Sequence, residues 1–261
     1  MNEKPLIVVV NDDGVYAKGF NTLVAIATKY GDVVAVAPDT ERSGSGHCVT
    51  VINPLKTKPI KEQKGLLVHA CNGSPVDCVK LAIKVFADRK PDIVFSGINH
   101  GSNVGTNIFY SGTMGAAIES VFEGVPAIGF SLCSYHADAD FDECYPFVEN
   151  IISGVLKCEN IKNDLCLNVN IPYHPQGGIK GIKVCSMSKG VWVEDYVKRN
   201  MPSSEKPYYW ISGKFSDENP SKDSETTAID NGYVSVLPVS IDVTRYESKQ
   251  QIADMLNAGV L

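Results

Sequence analysis

Asp12 and Asp13 stand side by side directly after an unbroken aliphatic run, residues 6–10, in the stretch LIVVVNDDG. Two carboxylates about 4 Å apart repel by roughly 4 kcal/mol at an effective dielectric near 20, so both ionise together only beside a positive partner. A bound cation is one such partner. Further oxygen donors in comparable positions along the chain are the hydroxyl of Ser43 and the side-chain amide of Asn99. An all-oxygen set suits a hard ion, Mg²⁺ or Mn²⁺, and does not suit zinc. An isolated Asp-Asp-Gly is equally readable as a helix cap or an Asx turn, and residue types alone leave both readings open.

A second group lies at Ser111, Gly112 and Thr113, in YSGTMGAAIES, where a helix is expected to begin. A helix N-terminus presents unpaired N–H groups and a partial positive charge, so it can cradle a phosphate, with both hydroxyls as added donors. Simple N-capping by Ser111 or Thr113 accounts for the same residues. In GSPVDCVKLAI, capping is the better reading, because Ser74, Pro75 and Asp77 have the spacing of a capping box. Cation and cradle together point to hydrolysis of a phosphate ester: the ion polarises the phosphoryl oxygens, and helix N–H groups hold the charge that grows in the transition state.

The elements that must position these groups read as alternating strands and helices. Strands are expected at 6–10, 32–38, 91–97 and 126–132, and helices at 19–29, 80–86 and 112–124. Aliphatic strands alternating with helices imply an α/β fold, a mostly parallel sheet covered on both faces. In such sheets ligands bind beyond the carboxyl ends of the strands, which is where NDDG, PDTERSGSGH and SGINHGSNVG fall. Gly44, Gly46, Gly97, Gly101 and Gly105 crowd two of those loops and let backbone approach a ligand closely. Further on, a helix is expected at 145–157, strands at 165–172, 181–188 and 232–244, and a short closing helix from about 248. Residues 189–225 turn to Pro, Ser, Lys, Asp and aromatics without a clear period, as in an extended arm or a long loop. For its aromatics Trp192, Tyr196, Tyr208, Tyr209 and Trp210, ordinary packing is a stronger expectation than base stacking.

The totals limit the partners. With 261 residues and a formal net charge of −6, the chain has no basic excess for nucleic-acid polymers or anionic membranes. No apolar run approaches the roughly 20 residues of a membrane span, and the apolar stretch at the start is too short for a secretory leader, so a cytoplasmic protein is expected. The eight cysteines form no C-x-x-C pair, which signals neither a zinc site nor a disulfide framework.

VNDDG, VVAVAPDTERSGSGH, CNGSPVDCVKLA, PDIVFSGINHGSNVG, IFYSGTMGAAIE, LNVNIP and GYVSVLP, in this order and spacing, closely resemble the SurE family of stationary-phase survival proteins. The resemblance spans nearly the whole chain and is weak only across 189–225. It implies a Rossmann-like three-layer sandwich, with a catalytic core over 1–189 and a C-terminal β-rich oligomerisation arm over 190–261 that pairs the chain as a homodimer or tetramer. It implies a phosphomonoesterase acting on nucleoside 5′-monophosphates and 3′-monophosphates, in some members on short polyphosphates, with one Mg²⁺ or Mn²⁺ per subunit. The family's metal ligands carry over onto Asp12, Asp13, Ser43 and Asn99, and its phosphate-contacting residues onto Asn99, Ser111, Gly112 and Thr113, with Asn103 in the matching loop. Asp12 and Asp13 are then the catalytic pair, with Asp13 preferred as general base. His47 and His100 flank the site as auxiliary donors or as plain turn histidines.

The competing class is a receiver-like, Mg²⁺-binding phosphorylation sensor, which also ends its first strand in paired acids. It needs a phosphoacceptor aspartate where PDIVFSGIN supplies Ser96, Gly97 and Asn99. A haloacid-dehalogenase-type phosphatase wants D-x-D, and a dinucleotide-binding protein wants G-x-G-x-x-G after the first strand; neither motif is present.

Overall fold

The computed structural model describes residues 4–158, 163–204 and 206–259. The aliphatic opening run forms β1 (Leu6–Val10), every residue of it buried. Successive strand residues point to opposite faces, which is why the run is apolar throughout. Ile7 and Val9 pack into one core with Phe20 and Leu23 of α1 (Lys18–Ala27) and Val148 and Ile152 of α5 (Tyr145–Leu156). Leu6, Val8 and Val10 pack into the other with Val79 of α2 (Pro75–Leu81) and Met114 and Ala117 of α4 (Gly112–Phe122). The result is a three-layer α/β sandwich.

Among the described residues the central sheet has nine strands. Its parallel part runs in the spatial order β4 (Leu66–Cys71), β2 (Asp32–Pro38), β1, β5 (Ile93–His100), β6 (Ala127–Cys133), β7 (Cys166–Pro172). The chain winds outward from β1 to β2 and β4, then returns to the other side of β1 with β5, so β1 and β5 flank the switch point of the sheet. An antiparallel strand β3 (Thr57–Gln63) edges it on one side, while β11 (Tyr233–Pro238) pairs antiparallel with β7 on the other and carries β8 (Gly181–Val184) outside it.

Several elements depart from the periodicity. β3 is exposed along its whole length and carries Pro59 at a register shift, so it has no alternating pattern to betray it. The helix expected at 80–86 begins earlier, at the Ser74 cap: Ser74 accepts from the Asp77 N–H while the Asp77 carboxylate accepts from the Ser74 N–H. The stretch Ala82–Phe86 continues it as a wider π-turn. Residues 189–225 hold a ten-residue hairpin pair, β9 (Val191–Asn200) and β10 (Pro207–Ser216), which forms its own two-stranded sheet. After it, α6 (Glu225–Asp230) and β11 return the chain to the main sheet before α7 (Lys249–Gly259). Cys71, Cys78, Cys144, Cys166 and Cys185 are buried free thiols. Among the described residues no helix is long and apolar enough to cross a membrane.

Candidate active site

The turn after β1 is built by Asn11, not by the acids that follow it. Its side-chain N–H donates to the Gly14 carbonyl at 3.0 Å, and its side-chain oxygen accepts from the Gly14 N–H at 3.3 Å. Gly14 has φ +101°, a conformation that costs glycine nothing. The next helix starts from Ala17 with no side-chain cap. Asp12 and Asp13 therefore neither cap α1 nor close the turn, and their carboxylates are left for other work.

Asp12 is 3% exposed. Its backbone carbonyl accepts from the Arg42 N–H at 2.8 Å, and the Arg42 guanidinium donates to the Asn72 carbonyl at 2.8 Å, which clasps the loop after β2 against this strand end. Its carboxylate accepts from the Thr113 hydroxyl at 2.6 Å. Asp13 accepts from the His100 backbone N–H at 3.1 Å, linking the end of β1 to the end of β5. Burial pushes both carboxyls above the ordinary carboxylate range, Asp13 to about 7, with the charge of Asp12 as its second cause. Among the described residues neither carboxylate accepts a hydrogen bond from a lysine or arginine.

These strand ends open into a cavity of about 1110 Å³ that also holds Ser43, Asn99, Asn103, His100 and Ser111. Asn99 spends its side-chain N–H on the Gly101 carbonyl at 2.7 Å, which leaves its amide oxygen as the acceptor atom. Ser43 is exposed and donates to Glu41, another carboxylate of the cavity. Gly112 and Thr113 lie behind the lining. A Cβ on Gly112 would sit 2.8 Å from the Asp12 Cβ and 2.9 Å from its carboxylate oxygen. Ser111 caps α4 by accepting from the Met114 N–H at 3.1 Å. The two candidate histidines separate: His100 lines the cavity with a buried Nε2 that lacks a hydrogen-bond partner, whereas His47 pairs with Glu119 at 2.7 Å, outside it.

The residues present fit a hard divalent cation. Two carboxylates raised by burial and mutual repulsion, an amide oxygen and a hydroxyl share one cavity whose lining contains a single lysine, Lys18. Among the described residues no three His, Cys, Asp or Glu side chains gather as a group that could hold a metal ion.

Composition and motif spacing miss the layer beneath Asn103. Its N–H donates to Asn170 Oδ1 and its carbonyl accepts from Asn168 Nδ2, both at 2.7 Å, while its side chain donates to Ser131 at 2.9 Å. Asn168 and Asn170 are fully buried on β7. The available signal was their alternation: two amides at period two inside a strand buried on both faces must be bonded to something. Glu225 is likewise fully buried and accepts from the Gly105 N–H at 2.5 Å.

Comparison with known proteins gives one consistent answer. The family model described as survival protein SurE matches residues 7–194. A protein of Christiangramia forsetii named 5′-nucleotidase SurE is 46% identical over 246 residues, 94% of each chain. Another of that name from Bacteroides thetaiotaomicron is 44% identical, covering 94% of this chain and 93% of its own. The crystal structure of the SurE protein from Aquifex aeolicus superposes with a TM-score of 0.81 at 38% identity, covering 96% of this chain and 99% of that one.

Proposed function

The chain belongs to the SurE family, and we propose that it is a 5′-nucleotidase, a phosphoric monoester hydrolase that releases phosphate from nucleoside monophosphates. The observation that carries this reading is the Asp12–Asp13 pair at the β1/β5 switch point, Asp12 buried and Asp13 half-buried, tied through Thr113 to the first turn of α4. Two acids that neither cap nor turn are charge held for a ligand.

Asp12, Asp13, Ser43 and Asn99 would hold a divalent ion, Mg²⁺ or Mn²⁺, whose chemistry there is to polarise the phosphoryl oxygens and lower the pKa of a water. The rest is performed by the chain. Ser111, Gly112 and Thr113 place the start of α4 toward the phosphate, and the second side-chain N–H of Asn99 and of Asn103, the first being spent on Gly101 and Ser131, orients its oxygens. Asp13 accepts the proton of the attacking water at its carboxylate. His100, with its free buried Nε2, stands as a donor near the leaving group.

Activity on 3′-monophosphates and short polyphosphates belongs to the same reading, as do a cytoplasmic location and assembly into a homodimer or tetramer. Assembly is supported by the arm at 190–261, where Val193, Trp210 and Ile211 on the hairpin and Ile252, Met255 and Leu256 on α7 are at least half exposed.

Phosphate release from AMP and GMP, with and without EDTA, tests the function. Turnover that disappears on chelation and returns with Mn²⁺ supports it. A receiver-like module shows no turnover under any condition, and turnover that survives exhaustive chelation removes the cation from the account.

A further inference from the structure

A cavity of about 1110 Å³ is far larger than a phosphate needs, and its lining is divided. Asp12, Asp13 and Asn99 make one part polar. The hairpin supplies another part, Val191 and Trp192 from β9 and Ile211 from β10. An amphiphilic lining of this kind fits a ligand with an anionic end and a flat, uncharged end.

Trp192 is the fixed member of the second part. Its indole N–H donates to Asn107 Oδ1 at 2.6 Å, and the adjoining Gly190 carbonyl accepts from both the N–H and the hydroxyl of Thr106, each at 3.3 Å. Asn107 belongs to α3 (Asn107–Tyr110), the short helix that leads into Ser111. The indole is thus anchored to the same segment that begins the phosphate cradle, while remaining 40% exposed. Its only polar atom is already engaged, so what it offers a ligand is a π-face. By contrast Tyr16, Tyr110 and Tyr135, which also border the cavity, are 71%, 65% and 67% exposed. Glu194 of β9 shares the cavity on the hairpin side and disfavours a second anionic group at that end of the ligand.

We propose that Trp192 is the platform on which the nucleobase of the substrate stacks, so that the hairpin selects for a base without reading which base it is. This inference rests on the nucleotidase reading. Stacking is tolerant because every base has a π-face, and it predicts weak discrimination between purines alongside a clear preference for nucleotides over base-free phosphate esters.

Trp192 and Trp210 are the only tryptophans, so Trp210→Phe leaves Trp192 as the sole indole emitter, excited apart from the tyrosines at about 295 nm. Adenosine, which carries no phosphate, should quench that emission saturably, and ribose should not. In steady state, Trp192→Ala should reduce the ratio of kcat/KM for AMP to that for ribose 5-phosphate by about tenfold, and Trp192→Phe should restore most of it. Absence of quenching in a preparation that hydrolyses AMP overturns the platform and leaves the nucleotidase reading standing, as does an unchanged ratio in Trp192→Ala. Quenching by adenosine in a preparation that hydrolyses neither ester supports the platform while removing the hydrolytic reading.

Discussion

The Thr113 hydroxyl donates to Asp12 at 2.6 Å, joining the first turn of α4 to the tip of β1 across 101 residues of chain. The bond sets which carboxylate oxygen of Asp12 remains for a ligand, and it opposes the effect of burial on that carboxyl. Thr113→Val keeps the shape and removes the donor. AMP hydrolysis should fall about 10- to 100-fold at limiting Mn²⁺, the range usual for a residue that orients a metal-binding side chain. Thr113→Ser should recover it. A metal titration of the three proteins decides: identical curves would mean the bond orients nothing.

Gly112 fits where it does because it has no side chain. Ala there would bring a Cβ within 2.8 Å of the Asp12 Cβ and 3.0 Å of the Ser45 hydroxyl, so α4 or β1 must shift. A displacement near 1 Å at a reacting centre costs on the order of 100-fold in rate. Gly112→Ala should therefore lose most of its phosphate release while keeping near-native circular dichroism. Full activity would show that the contact is easily relieved.

Without a cation, Asp13 holds its proton up to about pH 7, whereas the unfolded chain gives it up near 3.8. The folded state binds more protons across that interval, so stability falls as pH rises through it, and Asp12 acts in the same direction. In EDTA, Tm should drop between about pH 5 and about pH 8, less so in Asp13→Asn. Mn²⁺ should raise Tm more at the higher pH, where its ligands are ionised. Equal stabilisation at both values would contradict the assignment of the acids as ligands.

The Asn170 side-chain oxygen is the one acceptor of the Asn103 backbone N–H among the bonds described, at 2.7 Å. Asn170→Leu leaves that buried N–H unpaired and should cost about 1–3 kcal/mol of stability, read from urea unfolding. If the network also positions Asn103 against the phosphate, kcat falls well below the melting temperature too. Stability lost with turnover intact would confine Asn168, Asn170 and Ser131 to holding the fold.

Much of this was legible in the chain itself. Residues 6–10 and 33–38 are buried on both faces and read as such, and Ser74 with Asp77 forms the capping box its spacing predicts. The convergence of Asp12, Asp13, Ser43, Asn99, Asn103 and Ser111 on one cavity follows from their places after neighbouring strands. What stayed hidden depended on partners distant in sequence. β3 pairs only at an edge and has no buried face, and the β9–β10 hairpin is exposed on most of its residues, so neither leaves an apolar period. His47 and His100 looked alike in sequence; Glu119, on another helix, separates them. Trp192 gains its meaning from Asn107, 85 residues away.

The Asn11 side chain closes the bend after β1, and the bonds that the neighbouring acids add, from the Thr113 hydroxyl and the His100 N–H, an amide oxygen accepts as well. A protein with both carboxylates turned to amides should assemble intact and outlast its parent in a chelating buffer at neutral pH, where the parent must keep two charges out of water.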